Sequence, residues 1–205
     1  DLIEIRRQRN EFADRQYRLE TGLKGRFDAR SGALTRIEGL FAEPSDGSVS
    51  VLLDRFFNSF SDLSNNPEDR GAKVAVQAAG RALASGIQNL DRRLSDYRTA
   101  LNAEINLNLS EANRLAGEIA TLNGEIATRT NTGINPNDLL DRRDQLADQL
   151  AGLVGATVIN QSDGSVSLRI GGTSIVDGTH VTNLELATRG QNDPVGAPIL
   201  YSNGS

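Results

Sequence analysis

The sequence predicts a mainly α-helical fold with a β part: an elongated antiparallel helical bundle or rod with one very long helix, followed by a small antiparallel β domain. The first observation is a heptad seam of apolar residues that runs through most of residues 67–128. The second is a change, after Ala156, from helical spacing to alternating apolar and polar residues. We therefore expect a helical rod domain over 1–155 and the beginning of a truncated, β-rich outer domain over 156–205.

The segment from Asp1 to about Phe41 contains no proline and repeats apolar residues at helical spacing, which predicts one long helix or two. Gly22 and Gly25 favour a break between them, because each glycine costs a helix about 1 kcal/mol relative to alanine. The charged residues of this segment alternate in sign, which is typical of a solvated, ion-paired surface.

A loop over 43–47 precedes a short amphipathic helix. Its apolar residues share one helical face: Val49, Leu52, Leu53, Phe56, Phe57, Phe60 and Leu63. Because an apolar stripe is stable when it is covered, we expect this face to be buried in a core. The aromatic group Phe56, Phe57 and Phe60 is thus interpreted as core, in preference to an exposed face that binds a partner.

The next helix is predicted to start with Asn66 as N-cap and Pro67 in the first helical position, and to reach about Thr128. At 1.5 Å per residue it would be about 90 Å long. Its seam steps by four and three residues in turn: Val76, Gly80, Leu83, Ile87, Leu90, Leu94, Tyr97 and Leu101. One extra residue precedes Ile105, which indicates local unwinding or a change of packing partner.

After a turn-rich break at 131–137, Asn137 or Asp138 is expected to cap a helix that reaches about Val154 and folds back along the long one. Because Asp-Gly favours a two-residue β-turn, Asp163-Gly164 predicts a hairpin that pairs Ile159 with Leu168.

Further strands are predicted around the alternating apolar residues Ile175, Val176, Val181, Leu184 and Leu186. The tail from Gln191 to Ser205 is expected to be loop-like.

The composition excludes several functional classes. The 205 residues include no Cys, no Met and one His, with 22 Lys+Arg against 27 Asp+Glu and a net charge of -5. A thiol nucleophile, a zinc–thiolate site, a disulfide and any site with two histidines are therefore impossible. The acidic surplus argues against binding duplex DNA or an anionic membrane, and the lack of aromatics between Arg98 and Leu200 argues against binding single strands. The sequence contains no run of about 18 apolar residues, so no membrane span is predicted. The missing initiator Met predicts a fragment or processed chain.

Two groups are candidates for chemistry, and neither is favoured as a site. The densest acidic cluster is Asp138, Asp141, Asp144 and Asp148, and the last three share a helical face, as metal-binding carboxylates could. We favour ion pairing with Arg142 and Arg143 instead. His180 lies beside a predicted turn without a nucleophile motif, so a catalytic role is not expected. No catalytic, cofactor-binding or metal-binding residue is predicted, and the protein is not expected to be an enzyme.

Four blocks resemble the family of bacterial flagellar hook-associated protein 1, the hook–filament junction protein, and they follow the family's order along the chain. The first is Phe56-Phe57-Asn58 followed by Leu63 to Arg70, and the others are Ile119 to Ile126, Asn137 to Leu146 and Gly172 to Gly178. The third block has Arg142 where the family usually has Gln. The blocks extend over most of residues 50–180, and residues 1–49 fit the preceding helix loosely.

The resemblance implies a structural subunit of the bacterial flagellum that is secreted and joins hook to filament without catalysis or cofactors. Its implied partners are the flagellar hook protein, the second hook–filament junction protein, copies of itself in a ring and an export chaperone for the full-length chain. Neither nucleic acid nor a membrane is an expected partner. Most of one terminal assembly segment and all of the other are missing relative to the family, so the chain alone is expected to be monomeric in solution. Two alternatives stay open: another flagellar axial protein, of flagellin or hook type, and a secreted coiled-coil adhesin or binding module.

Overall fold

The computed structural model of this chain describes residues 11–41, 47–133, 135–186 and 199–202. Its helices come first: α1 (Glu11–Phe41), α2 (Val49–Asn65), α3 (Arg70–Asn131) and α4 (Asn137–Val154). The strands follow: β1 (Thr157–Asn160), β2 (Val166–Ile170), β3 (Thr173–Asp177), β4 (His180–Val181), β5 (Asn183–Leu186) and β6 (Ile199–Ser202). The predicted fold class, mainly helical with one very long helix and a small antiparallel β part, is confirmed.

The chain divides into two compact units. The helical unit comprises residues 30–102, with the end of α1, all of α2 and the first half of α3. The mixed unit contains the described residues on either side, with the start of α1, the rest of α3, α4 and the strands.

Helix α1 is unbroken over 31 residues, so the predicted break near Gly22 and Gly25 is absent. These glycines instead let two helix backbones approach each other in the mixed unit. A Cβ atom on Gly25 would lie 2.8 Å from the carbonyl oxygen of Gly152 in α4, closer than real Cβ atoms come to any atom. The loss of helix propensity at these positions is thus offset by close contact between α1 and α4.

The predicted start of the long helix is wrong by several residues. Asn66 ends α2 as its C-cap, and its N–H donates to the carbonyl oxygen of Asp62 at 3.2 Å. Pro67 lies in the connecting turn, and Asp69 caps α3: its Oδ1 accepts from the Gly71 N–H at 2.7 Å. Asp69 is the better cap because its carboxylate also meets the positive end of the helix dipole.

Helix α3 is 62 residues long, and its seam changes partner where the two units divide. In the helical unit the Tyr97 hydroxyl donates to the carbonyl oxygen of Ala33 in α1 at 3.4 Å. In the mixed unit α3 bonds to strands instead. Its buried face there consists of Leu109, Ala112, Leu115, Ala116, Ile119, Ala120, Asn123 and Ile126. Of the two alternatives raised by the extra residue before Ile105, a change of partner is therefore confirmed.

Helix α4 starts directly after Pro136, which makes no side-chain capping bond. The expected cap from Asn137 or Asp138 is wrong, because both residues lie inside the first turn. The helix ends at Gly155, whose left-handed backbone (φ 68°) lets its N–H donate to the Ala151 carbonyl at 2.8 Å.

Strands and helices of the mixed unit share one aliphatic core. Side chains of α4 and the strands pack with the buried face of α3: Leu146, Ala147, Leu150, Val158, Val166, Leu168, Ile175, Val176 and Leu184. That residues 156–205 begin a separate outer domain of a longer protein stays a prediction.

The strands form a four-stranded antiparallel sheet in the order β1-β2-β3-β4 and a two-stranded sheet of β5 and β6. The predicted register of the first hairpin is wrong by one residue: Leu168 pairs with Val158, and Ile159 pairs with Ser167. The one-residue difference turns Val158, rather than Ile159, towards the core.

The register differs because the turn is longer than two residues. Gln161 donates its N–H to the Ser165 carbonyl at 2.9 Å, and the Gly164 N–H donates to the Gln161 carbonyl at 3.1 Å. Gly164 takes the positive φ of 83° that a three-residue loop with a glycine bulge requires.

The expectation of a loop from Gln191 to Ser205 is wrong at its centre. Strand β6 pairs with β5, Tyr201 lying opposite Leu184. The sequence Ile199-Leu200-Tyr201-Ser202 does not alternate between apolar and polar residues, so this strand carries no periodic signal. The other residues of the expected loop lie outside the described part of the chain.

Candidate functional site

Two asparagines of α3 hold the strands by imitating a backbone peptide group. Asn123, only 1% exposed, donates through Nδ2 to the carbonyl oxygens of Val166 (2.9 Å) and Gly178 (2.7 Å). Its Oδ1 accepts from the Val166 N–H at 3.1 Å. The amide thus satisfies both backbone groups of Val166 as a neighbouring strand would.

Asn113 does the same for β5. Its Nδ2 donates to the Leu184 carbonyl at 2.9 Å, and its Oδ1 accepts from the Leu184 N–H at 2.8 Å. Neither asparagine is predicted from the sequence to have this role. The available signal was Asn123 itself, a polar residue within the apolar face of a long helix.

The acidic cluster of α4 is split among different partners. Asp144 is buried against Arg143, with Nη2 to Oδ1 at 3.5 Å, as predicted. Asp148 instead pairs with Arg18 of α1, Nε to Oδ1 being 2.5 Å. The Arg18 pair spans 130 residues of sequence, so spacing along α4 gave no sign of it.

The remaining members of the cluster lie at the surface of α4. Asp138 and Asp141 are exposed, and Arg142 lies 3.4 Å from the Gln145 Oε1 rather than beside a carboxylate. Among the described residues no group of three His, Cys, Asp or Glu side chains is placed to hold a metal ion.

Arg143 also connects α4 to the first hairpin. Its Nη1 donates to the carbonyl oxygen of Gly164 at 2.7 Å. Arg143 is only 5% exposed, so the guanidinium works inside the structure and not as a surface charge.

His180 is exposed at the start of β4 and lies opposite Asp177 in the sheet register. The Asp177 carboxylate accepts from the fully buried hydroxyl of Ser167 at 2.8 Å. Within the described part of the chain, the hydroxyl bonded to this acid is a buried structural one, which is not an arrangement for nucleophilic attack.

Two exposed carboxylates have a lowered pKa. Hydrogen bonds from the hydroxyl and the N–H of Ser165 hold the pKa of Asp163 below its ordinary value. A hydrogen bond from Arg114 does the same for Glu111, and the same guanidinium, whose pKa is raised in turn, also contacts Glu118. The bonds to Asp163 stabilise the turn of the first hairpin, and the Glu111–Arg114 pair stabilises the surface of α3.

Helix α2 leaves half of its apolar face in contact with solvent. The face that meets α3 contains Leu52 and Phe56, which lie against glycines of that helix. On its other side Leu53, Phe57 and Phe60 are 41%, 60% and 47% exposed. We call these three residues the α2 patch. The prediction that this stripe is buried is wrong for these residues, because α3 covers only one side of α2.

A second exposed apolar surface lies on the part of α1 within the helical unit. Leu34 and Phe41 are 48% and 46% exposed and seven residues apart, so they share one side of the helix. We call these two residues the α1 patch. None of the described helices is long and apolar enough to cross a membrane.

The asparagine amides of this chain bind strand backbone, its buried charges are paired, and parts of its helices expose apolar faces. These features are typical of a helical structural scaffold. A family model for the flagellar hook-associated protein FlgK helical domain matches residues 34–205. The chain therefore belongs to the flagellar hook-associated protein 1 (FlgK) family of flagellar structural proteins, as the four sequence blocks indicate.

The relatives bearing that name are longer. The Bacillus subtilis (strain 168) protein is 30% identical over 204 residues, a match that covers 92% of this chain and 40% of the relative. The Salmonella typhimurium protein is 30% identical over 200 residues, covering 96% and 36%, and the Escherichia coli K12 protein is 28% identical over 204 residues, covering 98% and 37%. The chain thus spans less than half the length of these relatives.

The fold also matches a solved structure, the flagellar hook junction protein FlgK from Burkholderia pseudomallei. The TM-score is 0.68 at 24% identity, and the match covers 84% of this chain and 30% of that one. At this identity the match shows the fold alone.

Proposed function

We propose that this chain is part of a structural subunit that joins the hook to the filament of a bacterial flagellum and catalyses no reaction. The observation that carries the proposal is the family match over 34–205, supported by the four motif blocks in family order. The long α3 suits a mechanical role, because an unbroken helix transmits load along its axis.

The proposed partners are the hook protein on one side and the second junction protein on the other, with copies of the subunit forming a ring between them. An export chaperone would bind the full-length chain before secretion, and the working location is the extracellular flagellum. The chain by itself is proposed to be monomeric in solution, since its exposed apolar patches are small in comparison with a stable interface.

Deleting the gene in the source bacterium tests this role. The proposal expects cells that still build hooks, carry no filaments and release filament subunits into the medium. Expression of the full-length protein should restore filaments. Filaments that persist in the deletion strain would contradict the proposal, and missing hooks would point to a hook-type subunit instead.

A matched control separates the structural role from catalysis. Asp141→Asn and His180→Ala alter the remaining candidates for chemistry, and both side chains are exposed. Both variants should restore filaments as well as the unaltered protein does. A loss of filaments with either one, at normal protein levels, would favour a chemical role.

A further inference from the structure

Helix α2 is weakly held for its length. None of its 17 residues, all of which the structure describes, is buried. Helix α4 is nearly as long, with 18 residues, and six of them are buried: Arg143, Asp144, Leu146, Ala147, Leu150 and Ala151. Because short helices in proteins are stabilised chiefly by burying an apolar face, α2 has much less support than α4.

The contact between α2 and α3 is apolar and depends on two glycines of α3. Leu52 and Phe56 are half-buried, and their side chains lie over Gly86 and Gly80. A Cβ atom on Gly80 would be 3.3 Å from the Phe56 ring, and one on Gly86 would collide with Cδ1 of Leu52. Separating these side chains from the glycines breaks no hydrogen bond, so its cost is that of exposing half-buried apolar area.

Several interactions of α2 are local and survive a separation from α3. The Ser48 hydroxyl caps the helix by accepting from the Val51 N–H at 3.4 Å. The Phe56 ring meets Phe57 and Phe60 edge to face, with centroids 5.7 Å and 5.0 Å away. These contacts shape α2 itself and do not hold it on α3.

Helices α1 and α3 have support of another kind within the helical unit. The Arg93 Nη1 donates to the Leu40 carbonyl oxygen at 2.9 Å, in addition to the bond from Tyr97 to Ala33. Both helices also continue outside residues 30–102, so neither has to be nucleated within this unit. Helix α2 begins and ends inside the unit and has no such continuation.

We propose that α2 is a detachable helix, which leaves α3 while the other three helices and the strands stay folded. Once released, α2 loses its amide protection, because an isolated helix of this length is marginal in water. The opening uncovers the Phe56 ring and the glycine-containing face of α3. Local openings of this kind occur far below the free energy of global unfolding.

Hydrogen exchange of the 205-residue chain, followed by mass spectrometry on peptides of α2 and α4, tests the opening. Amides of α2 should exchange at least about 100-fold faster than those of α4. Low urea should barely alter exchange in α2, because a local opening exposes little new surface, whereas exchange in α4 should rise steeply. Equal protection of the two helices, or a parallel rise of both with urea, would overturn the proposal.

Two neighbouring leucines of α2 provide a matched pair of variants. Leu52 lies against α3, whereas Leu53 is 41% exposed. Leu52→Ala should speed exchange in α2 by about tenfold and leave α4 unchanged, and Leu53→Ala should change it by no more than about twofold. Equal effects of the two alanines on α2, or an equal effect of Leu52→Ala on α2 and α4, would contradict a separate opening.

Glycine substitutions give a second measurement from the side of α3. Gly86→Ala displaces Leu52, whereas Gly117→Ala adds the same methyl group to the same helix with no atom within 4 Å. Gly86→Ala should speed exchange in α2 by about fivefold or more, and Gly117→Ala should leave it unchanged. No acceleration with Gly86→Ala, or the same acceleration with both variants, would show that the contact with α3 does not control α2.

Discussion

Replacing Asn123 by alanine removes the side chain that satisfies both backbone groups of Val166. The Val166 N–H and carbonyl are left without a partner in a core position that is 1% exposed. Each unmet buried group costs about 1–3 kcal/mol, and alanine returns about 0.5 kcal/mol in helix propensity. For the two groups we expect a net loss of about 1.5–5.5 kcal/mol in the free energy of unfolding, a large share of the roughly 5–15 kcal/mol typical of a domain.

The assay is urea unfolding followed by circular dichroism, with amide exchange of Val166 as a local readout. Asn108→Ala is the matched control, because Asn108 is an exposed asparagine of the same helix and its replacement changes helix propensity alone. Asn113→Ala should fall between the two, since its half-buried amide makes two such bonds. If Asn123→Ala and Asn108→Ala unfold within about 0.5 kcal/mol of each other, the account of strand docking is wrong.

Two further predictions concern glycine contacts and pH. Gly25→Ala should lower stability by about 1–3 kcal/mol because the new Cβ would collide with the Gly152 carbonyl, whereas Gly32→Ala, with open space around it, should raise stability by about 0.5–1 kcal/mol. Equal effects of the two alanines in thermal unfolding would contradict the close approach of the helices. Asp163, whose pKa is lowered by Ser165, stabilises its turn above the ordinary pKa, and that contribution is lost as pH falls through the lower folded value. Asp163→Asn should therefore flatten the stability profile below about pH 4, and an unchanged acid limb would refute this assignment.

Periodic patterns predicted the helices well, because an amphipathic stripe depends only on neighbouring turns of the same helix. The sequence predicts the apolar seam of α3 and the extra residue in it before Ile105. That extra residue marks the place where the helix changes partner. Ends of elements were read less accurately. The cap at Asp69 and the loop at Gly164 depend on which of several suitable residues the surrounding contacts select.

Long-range contacts could not be read from spacing at all. The sequence around Gly25 predicts a helix break, whereas the structure places this glycine against Gly152 of α4. Asp148 belongs to an acidic cluster in the sequence, but its partner in the structure is Arg18 of α1. Burial of the whole α2 stripe was also expected, because a stripe predicts that something covers it but not how much. The uncovered part includes Phe57, whose side chain is 60% exposed.

Immunogold labelling tests the central claim most directly. An antibody raised against residues 30–102 is applied to flagella sheared from the source bacterium, with flagella from the deletion strain as control. We predict gold confined to the end of the hook where the filament begins, and none in the control. Gold spread along the filament or along the hook would contradict a junction subunit and assign the chain to another axial protein, and gold absent from every flagellum would contradict a flagellar role.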